Sequence, residues 1–170
     1  MVYGMSLSTF TTLHVVLSLI GIASGALVLR DMLRSRQAAG LTAVFLVATL
    51  ATSVTGFCFP STRLGLGHAI GALSLVVLVP TLMALYHYCL AGPWRGIYAA
   101  GATAALYLNV FIGVRQAFAK SATVQLLAPP PVVTQLVILA IFVGLGLLAV
   151  RRFRPCAPRL VHIRLPAAPV

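Results

Sequence analysis

Residues 132–150 read VVTQLVILAIFVGLGLLAV, a run with no charged side chain at any position. At 1.5 Å of rise per residue, roughly 20 apolar residues carry a helix across the ~30 Å hydrocarbon core of a bilayer. This stretch is therefore a spanning helix in its own right. Four more runs long and apolar enough to span lie upstream of it, at 10–29, 41–59, 68–90 and 97–118. Backbone groups in hydrocarbon must be satisfied within the segment, so each run is helical rather than an open strand. Turn and charge signals separate the runs. Arg30, Asp31, Arg34, Arg36 and Gly40 lie between the first two, and residues 60–67 between the second and third. Residues 91–95 divide the third from the fourth, and Lys120 through Pro131 the fourth from the last.

The composition of the whole chain agrees. Its 170 residues are 61% hydrophobic and 8% charged, with a mean hydropathy of +1.06. Soluble domains carry about 25% charged residues, so an ordinary soluble enzyme is excluded. The net charge of +11 comes from 12 Lys and Arg against one acid, Asp31. Because the basic residues sit in short clusters between apolar runs, they read as topology signals, and no nucleic-acid partner is expected. One side of a five-span chain holds Arg30, Arg34, Arg36, Arg95, Arg151, Arg152, Arg154, Arg159 and Arg164, and the other only Arg63, Arg115 and Lys120. The expected architecture is an all-α integral membrane bundle of five transmembrane helices, N-terminus outside and C-terminus cytoplasmic.

Residues 1–154 form a single transmembrane helical domain in this reading, and 155–170 a basic, Pro-containing cytoplasmic tail. That tail would be drawn to anionic lipid at about 1 kcal/mol per charge. Residues 1–13 contain no Lys or Arg, so the first run lacks the basic start of a secretory signal and is expected to remain as a span. Arginine outnumbers lysine, a compositional mark of GC-rich bacteria, and the expected location is a bacterial inner membrane. A disulfide needs Cα atoms within about 7 Å. Cys58 lies at the opposite membrane face from Cys89 and Cys156, so no disulfide framework is implied.

Several faces are built for close contact. Ser18, Gly21 and Gly25 line one side of the first run, and Gly67, Gly71 and Ser74 one side of the third. Small residues at this spacing let helices approach where lipid is as apolar as leucine. Thr49, Thr52, Ser53 and Gly56 make a hydroxyl-bearing face on the second run, able to bond across helices or back onto its own carbonyls. Pro80 interrupts the third and frees the carbonyl of Val76, which Thr81 is expected to take up. Tyr86, Tyr88, Trp94 and Tyr98 fit an aromatic belt at the cytoplasmic interface. Leu13-His14 with Ser18-Leu19 is echoed faintly by Gly67-His68 with Ser74-Leu75, as a duplicated two-helix unit would require.

Ionisable side chains inside spans are costly and mark candidate sites. His14, Cys58, His68, Arg115, Gln116 and Gln135 gather at the outer rim. His14 and His68, on two helices at one depth, suit a b-type haem, with Arg115 neutralising a propionate. With Cys58 they suit copper or zinc. Structural alternatives stand beside these: rim histidines bond neighbouring carbonyls, and Arg115 snorkels to phosphate level. Asn109 is the deepest polar group; together with Thr49, Thr52, Ser53 and Gln116 it would make a helix–helix contact or meet a small solute. Asp31 follows the first span and is expected to pair with Arg34 one turn on. No carboxylate remains in the membrane for proton coupling. The chain has no phosphate-binding glycine loop, nucleophile elbow or zincin helix, so catalysis is not indicated.

The segments around His14, Thr52 to Phe57 with Pro60, Gly67-His68, and Tyr107 to Phe111 with Gln116-Ala117-Phe118 resemble a group of small bacterial multi-span membrane proteins labelled hypothetical. The resemblance covers the chain from the first span to about Arg154 and implies a helical fold and a membrane location. It carries no catalytic residue across, and residues 61–65 depart from its pattern. Three functions follow as expectations: a non-enzymatic component that packs with itself or with a membrane partner, a haem or metal redox protein, and a small-solute or ion carrier.

Overall fold

The computed structural model describes residues 6–59 and 65–155. Residues 132–150 lie within its last long helix, and all five apolar runs are helical. These helices are α1 (Leu7–Leu33), α2 (Ala39–Phe57), α3 (Leu66–Leu82), α4 (Trp94–Lys120) and, after the single-turn α5 (Ala122–Leu127), α6 (Pro131–Arg152). Five of them are long and apolar enough to cross a membrane. The described residues contain helices and no strand, and the chain is thus a helical, multi-pass membrane protein.

Ser6 starts α1, its Oγ accepting the Thr9 N–H at 3.1 Å, the ordinary side-chain cap of an orphan donor. Pro131 occupies the first turn of α6, where its missing N–H costs nothing. Between Leu33 and Ala39, Ser35 adopts φ 56° and its Oγ accepts the Arg154 N–H at 2.9 Å. That bond ties the end of α6 to the α1–α2 loop and lets Phe153 bury itself against Tyr98.

Helices α1 to α4 pack in cyclic order, each on the next and α4 back on α1, while α6 lies outside against α4 and α1. Short connections make neighbours antiparallel. The buried residues of α1 after Gly21 are Ser24, Gly25, Val28, Leu29 and Met32, a stripe at helical spacing. Gly25 lets that stripe touch the bundle. A Cβ there would lie 2.7 Å from the Phe45 ring and 2.8 Å from Leu106 Cδ1. Helix α4 answers with Ala99, Ala102 and Ala105, all buried, and Gly101 fits closely beside Thr81 of α3. Helix α6 leaves most of its surface apolar and exposed, as a lipid-facing helix does.

Four expectations change. Asp31 pairs with Arg30 at 3.2 Å rather than with Arg34, because Arg34 caps α1, its N–H turned back onto Arg30 and Asp31 carbonyls. Thr81 donates to the Val77 carbonyl at 2.7 Å, not to Val76, since its side chain reaches the carbonyl four residues back. The third span ends at His87, three residues before Leu90. After Pro80 its hydrogen bonding widens to i→i+5 over Met83–His87, one of the known ways a helix absorbs an interruption. Tyr98 leaves the interfacial belt for the core; it is 1% exposed, with its hydroxyl 3.4 Å from Thr42 Oγ1. Tyr88 and Trp94 stay at the helix ends and stack at 3.6 Å.

Candidate functional site

Below the level of Gly21 the four-helix ring is filled; above it the ring opens. The same stripe of α1 continues through Ser18, His14 and Thr11, and that of α4 through Gly113, Gln116 and Lys120. These residues line a cavity of about 570 Å³ instead of meeting one another. The size lies within the range of small-molecule sites, about 300–1,000 Å³. Helix α2 contributes Thr52, Ser53 and Gly56, and α3 contributes Gly67, His68, Gly71 and Ser74. Val15, Leu19, Ile22, Ile70, Leu108 and Ile112 supply an apolar wall.

The floor is a set of polar bonds. Asn109 Nδ2 donates to Thr49 Oγ1 at 3.0 Å, and a Cβ on Gly21 would sit 3.3 Å from that nitrogen. Glycine at 21 therefore makes the room the amide needs. Ser53 donates to the Thr49 carbonyl at 2.9 Å. Two neighbours are not satisfied: the hydroxyls of Thr52 and Ser74 are buried with no hydrogen-bond partner, in side chains 8% and 3% exposed. An unmade hydrogen bond of that kind costs about 1–3 kcal/mol.

The two histidines stand over this floor on α1 and α3, which face each other across the ring. Thr55 spends its hydroxyl proton on the Ala51 carbonyl at 2.7 Å. Its oxygen, 2.9 Å from His14 Nδ1, therefore accepts a proton from that ring. Neutral His14 is thereby fixed with Nε2 as a bare acceptor. At His68 the polarity reverses. Nδ1 accepts the Gly65 N–H at 3.4 Å, so neutral His68 carries its proton on Nε2 and donates. Phe59 packs edge-on to His14 with centroids 5.2 Å apart, and Phe57 lies 5.8 Å from His68.

Of the residues singled out in the sequence, His14, His68, Thr52, Ser53, Asn109 and Gln116 converge on this cavity, with Thr49 directly beneath. Arg115 does not line it; that side chain is exposed on α4. Cys58 stands at the end of α2 with its thiol 3.6 Å from the Val54 carbonyl, and it does not line the cavity either. Among the described residues no three His, Cys, Asp or Glu side chains gather around a metal position. Gln135 faces α4 instead, donating to the Phe111 carbonyl at 3.1 Å. Cys156, Arg159 and Arg164 in the tail, and Arg63 in the loop after α2, lie outside the described residues.

Sequence reasoning missed the cavity itself, together with Ser18, Ser74 and Lys120 as parts of it. Their signal was available: Ser18 lies one turn from His14, and Ser74 shares a helical face with His68 by way of Gly71 and Ile70. Gly67 borders the cavity instead of packing as its spacing suggests: among the described residues a Cβ there meets nothing within 4 Å. Gly71 does pack, with a Cβ position 3.3 Å from the Phe57 ring. No protein-family model, curated protein or solved structure matches the chain.

Proposed function

We propose that this chain is a non-enzymatic membrane protein that binds a small ligand in the cavity enclosed by α1, α2, α3 and α4. The reading rests on the cavity of about 570 Å³ itself, which His14, His68, Asn109 and Gln116 line among apolar walls. A bundle selected for packing alone would fill that volume with side chains, because helices that leave it open forgo their contacts. Binding is favoured over conduction. The Gly21–Thr49–Asn109 contact and the filled core below it close the far side.

The membrane is a bacterial inner membrane in this proposal, with the N-terminus outside and the C-terminus in the cytoplasm. Among the described residues Arg30, Arg34, Arg36, Arg95, Arg151, Arg152 and Arg154 lie at the end away from the cavity, against Arg115 and Lys120 at the cavity end, which favours that orientation. The cavity then opens to the outer face. The lipid bilayer covers α6, and anionic lipid meets the basic tail; a homo-oligomer or second membrane protein is the remaining partner class.

The test is native mass spectrometry of the full chain in mild detergent. A stoichiometric small molecule is expected on the wild type and is lost in Gly113→Leu, which directs a side chain toward Ile22 and into the cavity. If the wild type carries nothing, takes up nothing from a solute library, and differs from Gly113→Leu only in stability, the cavity is a packing defect and the proposal fails.

A further inference from the structure

We infer that the cavity takes an anionic amphiphile, an acyl chain ended by a carboxylate or phosphate; the inference rests on the ligand-binding reading above and names its chemistry. The lining side chains sort by depth. Toward the mouth stand His68 in the first turn of α3, and Gln116 and Lys120 in the last turns of α4. Deeper lie Leu19, Ile22, Leu108 and Ile112. The polar groups at that depth are already engaged or shut away: Asn109 and Ser53 both donate to Thr49, and the Thr52 and Ser74 hydroxyls are closed off from the space. The residues bordering the cavity extend from Thr11 to Ile22 on α1 and from Leu108 to Lys120 on α4, about three helical turns on each. A long space, polar at one end and aliphatic at the other, matches a chain with a polar head better than a compact solute.

Charge and hydrogen-bonding groups define the head. No Asp or Glu lines the cavity, and Asp31, the one acid of the chain, sits at the far end of α1 paired with Arg30. Lys120 therefore has no carboxylate partner, and a cationic ligand would find no counter-charge. Gln116 and Lys120 are four residues apart on α4, so they share one face of that helix. Among the described residues neither side chain makes a hydrogen bond. Helix α3 packs on α4 and brings His68, whose Nε2–H is free to donate because Nδ1 accepts the Gly65 N–H. Gly65 and Gly67 border the cavity with backbone alone, so the start of α3 adjoins the same space, and a helix start favours anions. An ammonium, a carboxamide, an imidazole N–H and a helix start together make a donor set for an oxyanion. His14 across the ring presents the bare acceptor Nε2 and would repel that head, which places the head against α3 and α4.

Such a molecule is either a free fatty acid or an anionic phospholipid that inserts one chain, and the experiment has an arm for each. Full-length protein purified in a neutral detergent is extracted with organic solvent, and the extract is analysed for both lipid classes. Delipidated protein is then titrated by calorimetry with palmitate, with dioleoyl phosphatidylglycerol, with hexadecanol (the chain without the charge) and with acetate (the charge without the chain). Palmitate binding at one per chain, with fatty acid in the extract, identifies the free acid; phosphatidylglycerol in both arms identifies the phospholipid. Hexadecanol and acetate are expected to bind at least tenfold more weakly. Lys120→Met with Gln116→Leu should lower affinity for the anionic amphiphile at least tenfold, with the melting temperature held. Arg115→Met removes an exposed charge of the same helix that does not line the cavity, and it should leave binding unchanged. Hexadecanol binding as tightly as palmitate, or equal losses in the two charge variants, overturns the anionic head, and acetate binding as tightly overturns the chain. If a different molecule co-purifies and is displaced by Gly113→Leu, the cavity binds a ligand and the amphiphile assignment is overturned. If no molecule binds folded wild-type protein, both readings fall together.

Discussion

At Asn109 and Thr52, two polar side chains one helix apart carry opposite consequences. The Asn109 amide spans α4 to α2 and is satisfied by Thr49. Interhelical bonds of this kind contribute about 0.6–2 kcal/mol in membranes. Asn109→Leu should therefore lower unfolding stability in detergent by about 1 kcal/mol, and it removes the floor of the cavity. Thr52 makes no side-chain bond. Thr52→Val has nearly the same shape and deletes an unsatisfied buried hydroxyl, so stability is expected to hold or rise, with ligand occupancy unchanged because that oxygen is closed off from the cavity. Thermal unfolding read beside native mass spectrometry separates the two. A stability loss for Thr52→Val would show that its hydroxyl has a structural partner after all. Both residues stood out in the sequence as polar atoms inside apolar runs. Which of them was satisfied did not, since that depends on the neighbouring helix.

Across whole elements, glycines of similar sequence context play different parts. Gly25 and Gly101 lie where helices touch: a Cβ on Gly25 would enter the Phe45 ring and Leu106, and one on Gly101 would meet Thr81. Gly144 on α6 has nothing within 4 Å. Gly25→Leu is expected to destabilise by about 1–3 kcal/mol, the usual cost of overpacking. Gly144→Ala is expected to be neutral or stabilising by up to about 1 kcal/mol through helix propensity. Chemical unfolding of the two variants in one detergent checks the pair, and equal losses would contradict the contact pattern. The Gly21–Gly25 and Gly67–Gly71 spacings look alike along the chain, yet Gly67 borders the cavity. Spacing reports a small-residue face without naming what stands opposite. The helices themselves were legible because a bilayer imposes length and apolarity on each one separately. The wide turn at Met83–His87 was not, because it arises from how α3 recovers after Pro80 while packed on α4.

For the molecule as a whole, the filled and open halves of the ring coincide with an uneven distribution of charge. The closed half ends among arginines, and Phe153 with Arg154 latches it to the α1–α2 loop. The open half ends with Arg115 and Lys120. Cytoplasmic loops of short length hold the excess of basic residues, because translocating them is opposed during insertion. Orientation therefore decides what the cavity can meet: with the arginine-rich end in the cytoplasm, its mouth faces the compartment outside the membrane. An alkaline phosphatase reporter, active only outside, should be silent when fused after Arg36, Arg95 or Arg154 and active when fused after Lys120. A green fluorescent reporter at the same points should give the inverse pattern. Reversal of both would turn the mouth toward the cytoplasm. The four-helix cavity would stand, but its ligand would have to come from the other side.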